Sequence, residues 1–247
     1  MGSRFSEQAD LYAKYRPHYP PELYNIIYNH LQATERAWDC ATGSGQVAKQ
    51  LAKNFNHVTA TDISQEQLAH APETENISYS IAPAENSGLP ANHFDLITVA
   101  QAIHWFSFDE FYDEVCRVGK AGGMLAVIGY SMISIGDKVD PILKALYEEA
   151  FGTYFNENRQ YLDQYYRTIP FPFEEIQTPN LEYTVSWSID ELEGYFNSWS
   201  AIQKMKSNQG YNPVPKTINK LKSKLPGNKK IEVSFPIFMR LGRIAAR

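Results

Sequence analysis

Two hydrophobic periods alternate along this chain. Short apolar, β-rich runs are each followed by a segment whose apolar residues recur every three to four positions. Leu23, Ile26, Ile27 and Leu31 share one stripe behind Pro21, which predicts a helix to about Gln32. A strand is expected at 36–40 and a helix at about 46–54. His57 to Asp62 reads as a second strand, and Ser64-x-x-Gln67 as the capping box of a following helix. Ile77 to Ala82 is a short third strand. Phe94 to Gln101 is the clearest buried one, because it is apolar without alternation. Ser107-x-x-Glu110 is expected to cap a helix with the stripe Phe108, Phe111, Tyr112, Val115, and Gly122-Gly123 turns into a fifth strand, Met124 to Tyr130. Strands and helices alternating at this spacing predict a parallel sheet with right-handed crossovers.

The regularity then lapses. Residues 131–180 hold two helical patterns, about 139–151 and 156–167, and a turn at Pro170-Phe171-Pro172. They are expected to form an insertion over the sheet edge and an acceptor pocket. Leu181 to Trp187 alternates like a strand, and Ser188-x-x-Glu191 is a further capping box. Leu192, Tyr195, Phe196, Trp199 and Ile202 form one helical stripe, expected to be mostly core. Ile231 to Ile244 is a last strand, and its Pro236 suits an edge or a bulge.

Composition narrows the class. With 247 residues, 43% of them apolar, the chain can bury a sizeable core. No run approaches the roughly 20 apolar residues of a membrane span, and the start is polar, with Arg4, Glu7 and Asp10. The two cysteines, Cys40 and Cys116, sit in apolar surroundings and read as reduced, so a cytoplasmic location is expected. The net charge of −5 is uneven: from residue 204 onward there are 11 Lys/Arg and one acid, Glu232. Lys216, Lys220 and Lys224 fall on one stripe and Ile218, Leu221 and Leu225 on another, the pattern of a solvated helix face. The acidic remainder would repel a phosphate backbone, so no nucleic-acid partner is expected.

The chemistry concentrates at 36–46, Arg-Ala-Trp-Asp-Cys-Ala-Thr-Gly-Ser-Gly-Gln. A strand, a glycine turn and a helix bring bare backbone against a ligand, and Gly43 and Gly45 carry no Cβ to block it. The same residues fit the G-x-G-x-x-A form of the dinucleotide fingerprint, with Asp62 about 20 residues on. Asp39 separates the two readings. A carboxylate at the strand end repels a pyrophosphate and attracts a ligand bearing an ammonium.

Asp39-x-Ala41-x-Gly43-x-Gly45 resembles the first motif of the class I S-adenosylmethionine-dependent methyltransferases, with Ala41 where many members have glycine and a methyl group expected to be tolerated. Phe5-x-x-x-Ala9-x-x-Tyr12-x-x-x-Arg16-Pro17-x-Tyr19-Pro20, the Ala102-x-His104-Trp105-Phe106 run, and Gly194-Tyr195 followed by Trp199-Ser200-Ala201 are similar to a type 11 subgroup that includes trans-aconitate methyltransferase. The resemblance implies an α/β fold: a Rossmann-like, mostly parallel seven-stranded sheet flanked by helices, its last strand antiparallel, with a helical insertion after strand five. It also implies one domain over 1–247, with 1–20 as a flap and 131–180 as a cap. The cofactor would be S-adenosyl-L-methionine. Cofactor contacts would come from Tyr12, Arg16, Asp39, Ala41, Gly43, Gly45, Asp62, Ile63, Ala84, Glu85 and Gln101. Asp62 can offer two oxygens to the ribose hydroxyls, and Ala84 and Glu85 would lie beside the adenine. Tyr15, Tyr19, His104, Trp105 and Trp199 would face a small-molecule acceptor.

His104 follows the fourth strand, where ligands of open α/β sheets bind, and its side chain has the pKa of a general base. A carboxylate acceptor would need no base, only cationic anchors such as Arg16, and the subgroup's small polycarboxylate substrates favour that class. No metal is expected, because the six histidines and two cysteines show no ligand spacing. Two other readings stay open from the residues: an NAD-dependent oxidoreductase, and a non-catalytic protein that only binds a nucleoside cofactor.

Overall fold

The computed structural model describes residues 18–153, 158–225 and 230–245. The elements are α1 (Pro21–Tyr28), β1 (Arg36–Cys40), α2 (Gln46–Leu51), β2 (His57–Asp62), α3 (Gln65–Leu68), β3 (Ile77–Ile81), β4 (Phe94–Ala100), α4 (Phe108–Val118) and β5 (Gly119–Tyr130). There follow α5 (Asp140–Thr153), α6 (Arg159–Asp163), β6 (Glu174–Ile176), β7 (Leu181–Trp187), α7 (Ile189–Asn197), α8 (Ser200–Gln209), α9 (Val214–Lys222) and β8 (Ile231–Arg243).

Among the described residues the strands form one eight-stranded sheet of order β3-β2-β1-β4-β5-β8-β6, with β7 paired to β8. The five strands from β3 to β5 are parallel. β8 runs antiparallel to β5, from Ile237 against Tyr130 to Arg243 against Met124, and β6 is antiparallel to β8. The expected mostly parallel sheet and its antiparallel last strand are both present. The eighth strand, β6, has three residues behind a Pro-Phe-Pro turn, too few to show any alternation. Pro236, which has no N–H, lies in β8 just beyond its last pair with β5, and its carbonyl accepts from Ser131 N–H at 3.0 Å.

The chain divides into two compact units. Among the described residues, one contains His18–Tyr130, Tyr161–Leu181 and residues 237–245; the other contains residues 131–153, 158–160, 182–225 and 230–236. Residues 131–180, expected as one insertion, are therefore shared between the units. Arg240 ties the 161–176 segment to β8, through Tyr166 and Ile169 carbonyls and the Glu175 carboxylate.

In the sheet unit, β4 is buried over Phe94–Val99, as an unalternating apolar run requires. Trp38, Phe94 and Phe111 fill the core beside it. At the amino edge of the sheet, Asp95 accepts from Glu35 and Arg36 N–H groups at 3.1 and 2.9 Å and from Lys120 Nζ at 2.7 Å. That is the structural role its place at the strand start suggests.

In the other unit, α5, α7, α8 and α9 pack on one another. The Ser188 capping box forms in full: Glu191 N–H donates to Ser188 Oγ at 3.2 Å, and Ser188 N–H donates to Glu191 Oε2 at 2.7 Å. The stripe expected on one helix is broken at Ser198 into α7 and α8. No described helix is long and apolar enough to cross a membrane.

Candidate functional site

The strand order reverses at β1, whose neighbours are β2 on one side and β4 on the other. In an open α/β sheet the carboxyl ends beside such a reversal frame the ligand crevice. Just past β1 and β4 stand two residues in left-handed backbone, Ala41 at φ 54° and Gln101 at φ 56°. Each turns the chain sharply away from its strand end. An alanine or glutamine in that conformation costs roughly 1–2 kcal/mol relative to glycine. The Ala41 methyl is thus accommodated with backbone strain, which the sequence pattern did not show. Gln101 is held by both of its amides: its N–H donates to Ile128 carbonyl at 2.9 Å, and Nε2 to Tyr130 carbonyl at 3.0 Å.

Asp39 is the largest departure from the sequence reading. It is 1% exposed, and its own chain surrounds it. Oδ2 accepts from Thr42 Oγ1 at 2.5 Å and from Ala48 N–H at 3.0 Å, while Oδ1 accepts from Thr98 Oγ1 at 2.6 Å. These bonds tie the glycine turn to α2 and β4. Burial pushes the Asp39 carboxyl up to about 6, against the three hydrogen bonds that favour its charged form, with the nearby Asp62 charge adding to the rise. A carboxylate so enclosed influences a ligand through its field, not as an open hydrogen-bond partner. Thr42 and Thr98, its supports, carried no sequence signal of that role.

Asp62, at the end of β2, is arranged differently. Oδ2 accepts from Gly43 N–H at 2.8 Å and Oδ1 from Ser64 N–H at 2.9 Å. Among the described residues one acceptor position remains on each oxygen, the disposition that a pair of vicinal hydroxyls can use. Because Ser64 N–H goes to Asp62, the expected box at Ser64 forms by half: Gln67 N–H donates to Ser64 Oγ at 3.3 Å. The Gln67 side chain lies instead by the glycine turn. Among the described residues, a Cβ on Gly43 (φ +57°) would meet only Gln67 Oε1, at 3.8 Å. That oxygen is buried and has no donor among the described residues. Bare backbone with room above it and an acceptor lacking a donor fit a ligand that brings hydrogen-bond donors. Gly45 (φ +76°) serves packing, since a Cβ there would lie 2.7 Å from Tyr79 Oη.

Ile63 is 76% exposed, and Ile81, paired beside Asp62, is 59% exposed. Two large apolar side chains at adjoining strand ends make a shelf for a flat apolar group. Ile81 was missed in the sequence, where it reads as an ordinary strand residue. Ala84 is buried, and Glu85 Oε1 accepts from Ser107 N–H at 3.0 Å. Glu85 therefore caps α4, whose own Ser107 makes no side-chain cap. Nearby, the buried Glu114 accepts from both the N–H and Oγ of Ser87 and is held bidentately by Arg117.

A short 3₁₀ turn, Ile103–Trp105, places His104 beyond β4. His104 is 5% exposed, with Nδ1 2.9 Å from Tyr166 Oη, while Trp105 is exposed and its ring lies 5.0 Å from the imidazole. Tyr19 is half-buried, 6.3 Å from the Tyr130 ring. Tyr12, Tyr15 and Arg16 lie outside the described residues. Trp199 belongs to the other compact unit, where Tyr147, Phe151, Tyr195 and Phe196 pack against its ring. Its ring is part of that unit's aromatic core, a place its helical stripe had also allowed.

Comparison with known proteins agrees with this geometry. Residues 38–127 match the family model of the methyltransferase domain. A protein of Dictyostelium discoideum that is named as a methyltransferase is 34% identical over 97% of this chain and 94% of its own length. A solved structure named as a type II methyltransferase, from Anaeromyxobacter dehalogenans, superposes with a TM-score of 0.85 at 33% identity, covering 94% of this chain and 99% of that one. Phosphoethanolamine N-methyltransferase 2 of Haemonchus contortus, solved with S-adenosyl-L-methionine, shares the fold at 17% identity and a TM-score of 0.52 over 98% of this chain and 57% of its own. With its mostly parallel sheet, glycine turn and strand-end acid at the point of reversal, the chain belongs to the class I, S-adenosylmethionine-dependent methyltransferases.

Proposed function

We propose that this enzyme methylates a small molecule, with a small carboxylic acid as the acceptor class to try first. One observation carries the cofactor side of the reading: two carboxylates, Asp39 and Asp62, stand at the strand ends around the bare turn at Gly43. A pyrophosphate on the turn would meet repulsion from Asp39, whereas a sulfonium nucleoside with its ammonium would meet attraction; Asp62 suits a ribose on either reading. On this reading Asp62 takes the ribose hydroxyls, Ile63 and Ile81 flank the adenine, and Gly43 lets the amino-acid end lie on the backbone. Tyr12 and Arg16 would close over it.

The sulfonium supplies an already activated methyl group. What is left to the chain is alignment and the exclusion of water. A carboxylate acceptor arrives ionised at neutral pH and needs only a cation such as Arg16 to hold it, with Tyr15, Tyr19 and Trp105 as apolar walls. A hydroxyl or amine acceptor would give its proton to His104. The subgroup resemblance around Tyr12, Arg16 and His104 supports the carboxylate class.

Melting temperature is the first test. S-adenosylhomocysteine should raise it and NADH should not; the reverse result would return the chain to the oxidoreductase reading. A screen of small carboxylic acids, alcohols and amines with methyl-labelled cofactor then identifies the acceptor. Carboxylate methylation should survive His104→Ala. If only alcohols or amines are labelled, the carboxylate proposal falls.

A further inference from the structure

We infer that Tyr166 is a positioning residue for His104, set in place by a strained turn that Arg240 clamps. The inference rests on the proposed role of His104 at the acceptor end of the site.

Tyr165 and Tyr166 are consecutive and both left-handed, at φ 56° and 59°. Residues with a Cβ avoid that region, and two in a row persist only where surrounding contacts over-determine them. Those contacts are present. Tyr165 and Tyr166 N–H groups donate to Leu162 and Tyr161 carbonyls at 3.0 and 2.7 Å. Arg240 Nη1 donates to the Tyr166 carbonyl at 3.1 Å and to the Ile169 carbonyl at 2.6 Å. The rest of the guanidinium grips Glu175 bidentately, at 2.8 and 2.7 Å, and lies 4.3 Å over the Phe171 ring. Phe238 meets both tyrosine rings edge-on, at 5.1 and 5.2 Å.

The consequence is directional. A right-handed conformation at these positions would prolong α6 and carry the phenol away from β4. The left-handed pair turns Tyr166 inward, fully buried, with Oη 2.9 Å from His104 Nδ1 and the two rings 5.8 Å apart at 30°. Nδ1 is thereby committed to the tyrosine. The tautomer that serves as a base carries its proton on Nδ1 and donates it to Tyr166 Oη, so any proton taken from an acceptor is taken at Nε2. A tyrosine that merely filled the core would not need its hydroxyl at this distance, and its loss would leave the imidazole tautomer unchanged.

The test uses the full-length protein with ¹⁵N-labelled histidine. Long-range ¹H–¹⁵N spectra at pH 8, assigned by comparison with His104→Ala, report the His104 tautomer with no acceptor present. We expect one dominant tautomer in the wild type, protonated on Nδ1, and a changed proportion of the two tautomers in Tyr166→Phe, which keeps the ring against Phe238. Arg240→Lys, which loses the planar fork, should shift the same signals while leaving His104 in the sequence. For an alcohol or amine acceptor, Tyr166→Phe should lower kcat about 10-fold with KM within about 2-fold. An unchanged His104 spectrum in both variants overturns the inference. A changed spectrum combined with undiminished transfer in His104→Ala supports the positioning contact and removes the base role instead.

Discussion

Gly43 donates its backbone N–H to Asp62 Oδ2 at 2.8 Å, which joins the turn after β1 to the acid that ends β2. The two sites read separately in the sequence are thus one piece of structure. A ligand that bonds to Asp62 also stiffens the glycine turn, and a turn that shifts moves the acid.

Asp62→Asn tests that joint. It replaces one charged acceptor by an amide and weakens the bond to Gly43. Hydrogen bonds to charged groups contribute about 1.5–3 kcal/mol, so S-adenosylhomocysteine should bind roughly 10–100-fold more weakly. Titration calorimetry gives the number directly. Undiminished affinity would remove Asp62 from the cofactor site.

Asp39 makes stability depend on pH in an unusual direction. Its folded pKa, pushed up to about 6 chiefly by burial, lies above the value near 3.8 of a free carboxyl. The folded state therefore binds the proton more tightly than the unfolded state. Stability from this group is fully present below about pH 4 and is lost as pH rises through 6, amounting to about 3 kcal/mol in all. Asp39→Asn, which keeps the shape without the charge, should narrow this gap. Comparing urea midpoints of the two proteins at pH 5 and pH 8 isolates it. The Asp39→Asn protein should be relatively more stable at pH 8; parity at both values would contradict the buried charge.

The two glycines of the turn should fail differently. Gly45→Ala combines left-handed backbone with a Cβ only 2.7 Å from Tyr79 Oη, 3.1 Å from Pro72 Cδ and 3.2 Å from Ala71 Cβ. A stability loss of about 2–4 kcal/mol is expected. Gly43→Ala meets no such wall, so it should cost only about 1–2 kcal/mol from its φ while weakening S-adenosylhomocysteine more than Gly45→Ala does per unit of stability lost. Denaturation and calorimetry on the same preparations separate the two.

Ala41→Gly runs the other way. It relieves about 1–2 kcal/mol of left-handed strain and gives up about 0.4–1 kcal/mol through a more flexible unfolded chain. A net gain of up to about 1.5 kcal/mol should appear as a higher urea midpoint at an unchanged slope. A clear loss of stability would show that the methyl group contributes packing that outweighs its strain.

Much of the site could be read along the chain because its parts are local or regularly spaced. Gly43, Gly45 and Asp62 stand at strand ends, and strand ends follow from apolar periodicity. The exposure of Ile63 follows from its place just past such an end. Contacts across long separations were not readable in this way. His104 and Tyr166 lie 62 positions apart, and Asp39 and Thr98 lie 59 apart. No period links either pair. The helical stripe through Trp199 fitted both a pocket wall and a core, because a stripe tells which face is apolar and not what covers it.

By itself the sequence determined the alternation of strands and helices, the glycine turn, and the acid that ends the second strand, since each depends on residues within one or two turns of chain. Tertiary structure alone decided that Asp39 is walled in by Thr42, Thr98 and Ala48 while Asp62 keeps acceptor positions to offer. Both are aspartates at the ends of parallel strands. Their difference comes from what the neighbouring strand and helix place against each carboxylate, and that depends on how distant segments meet.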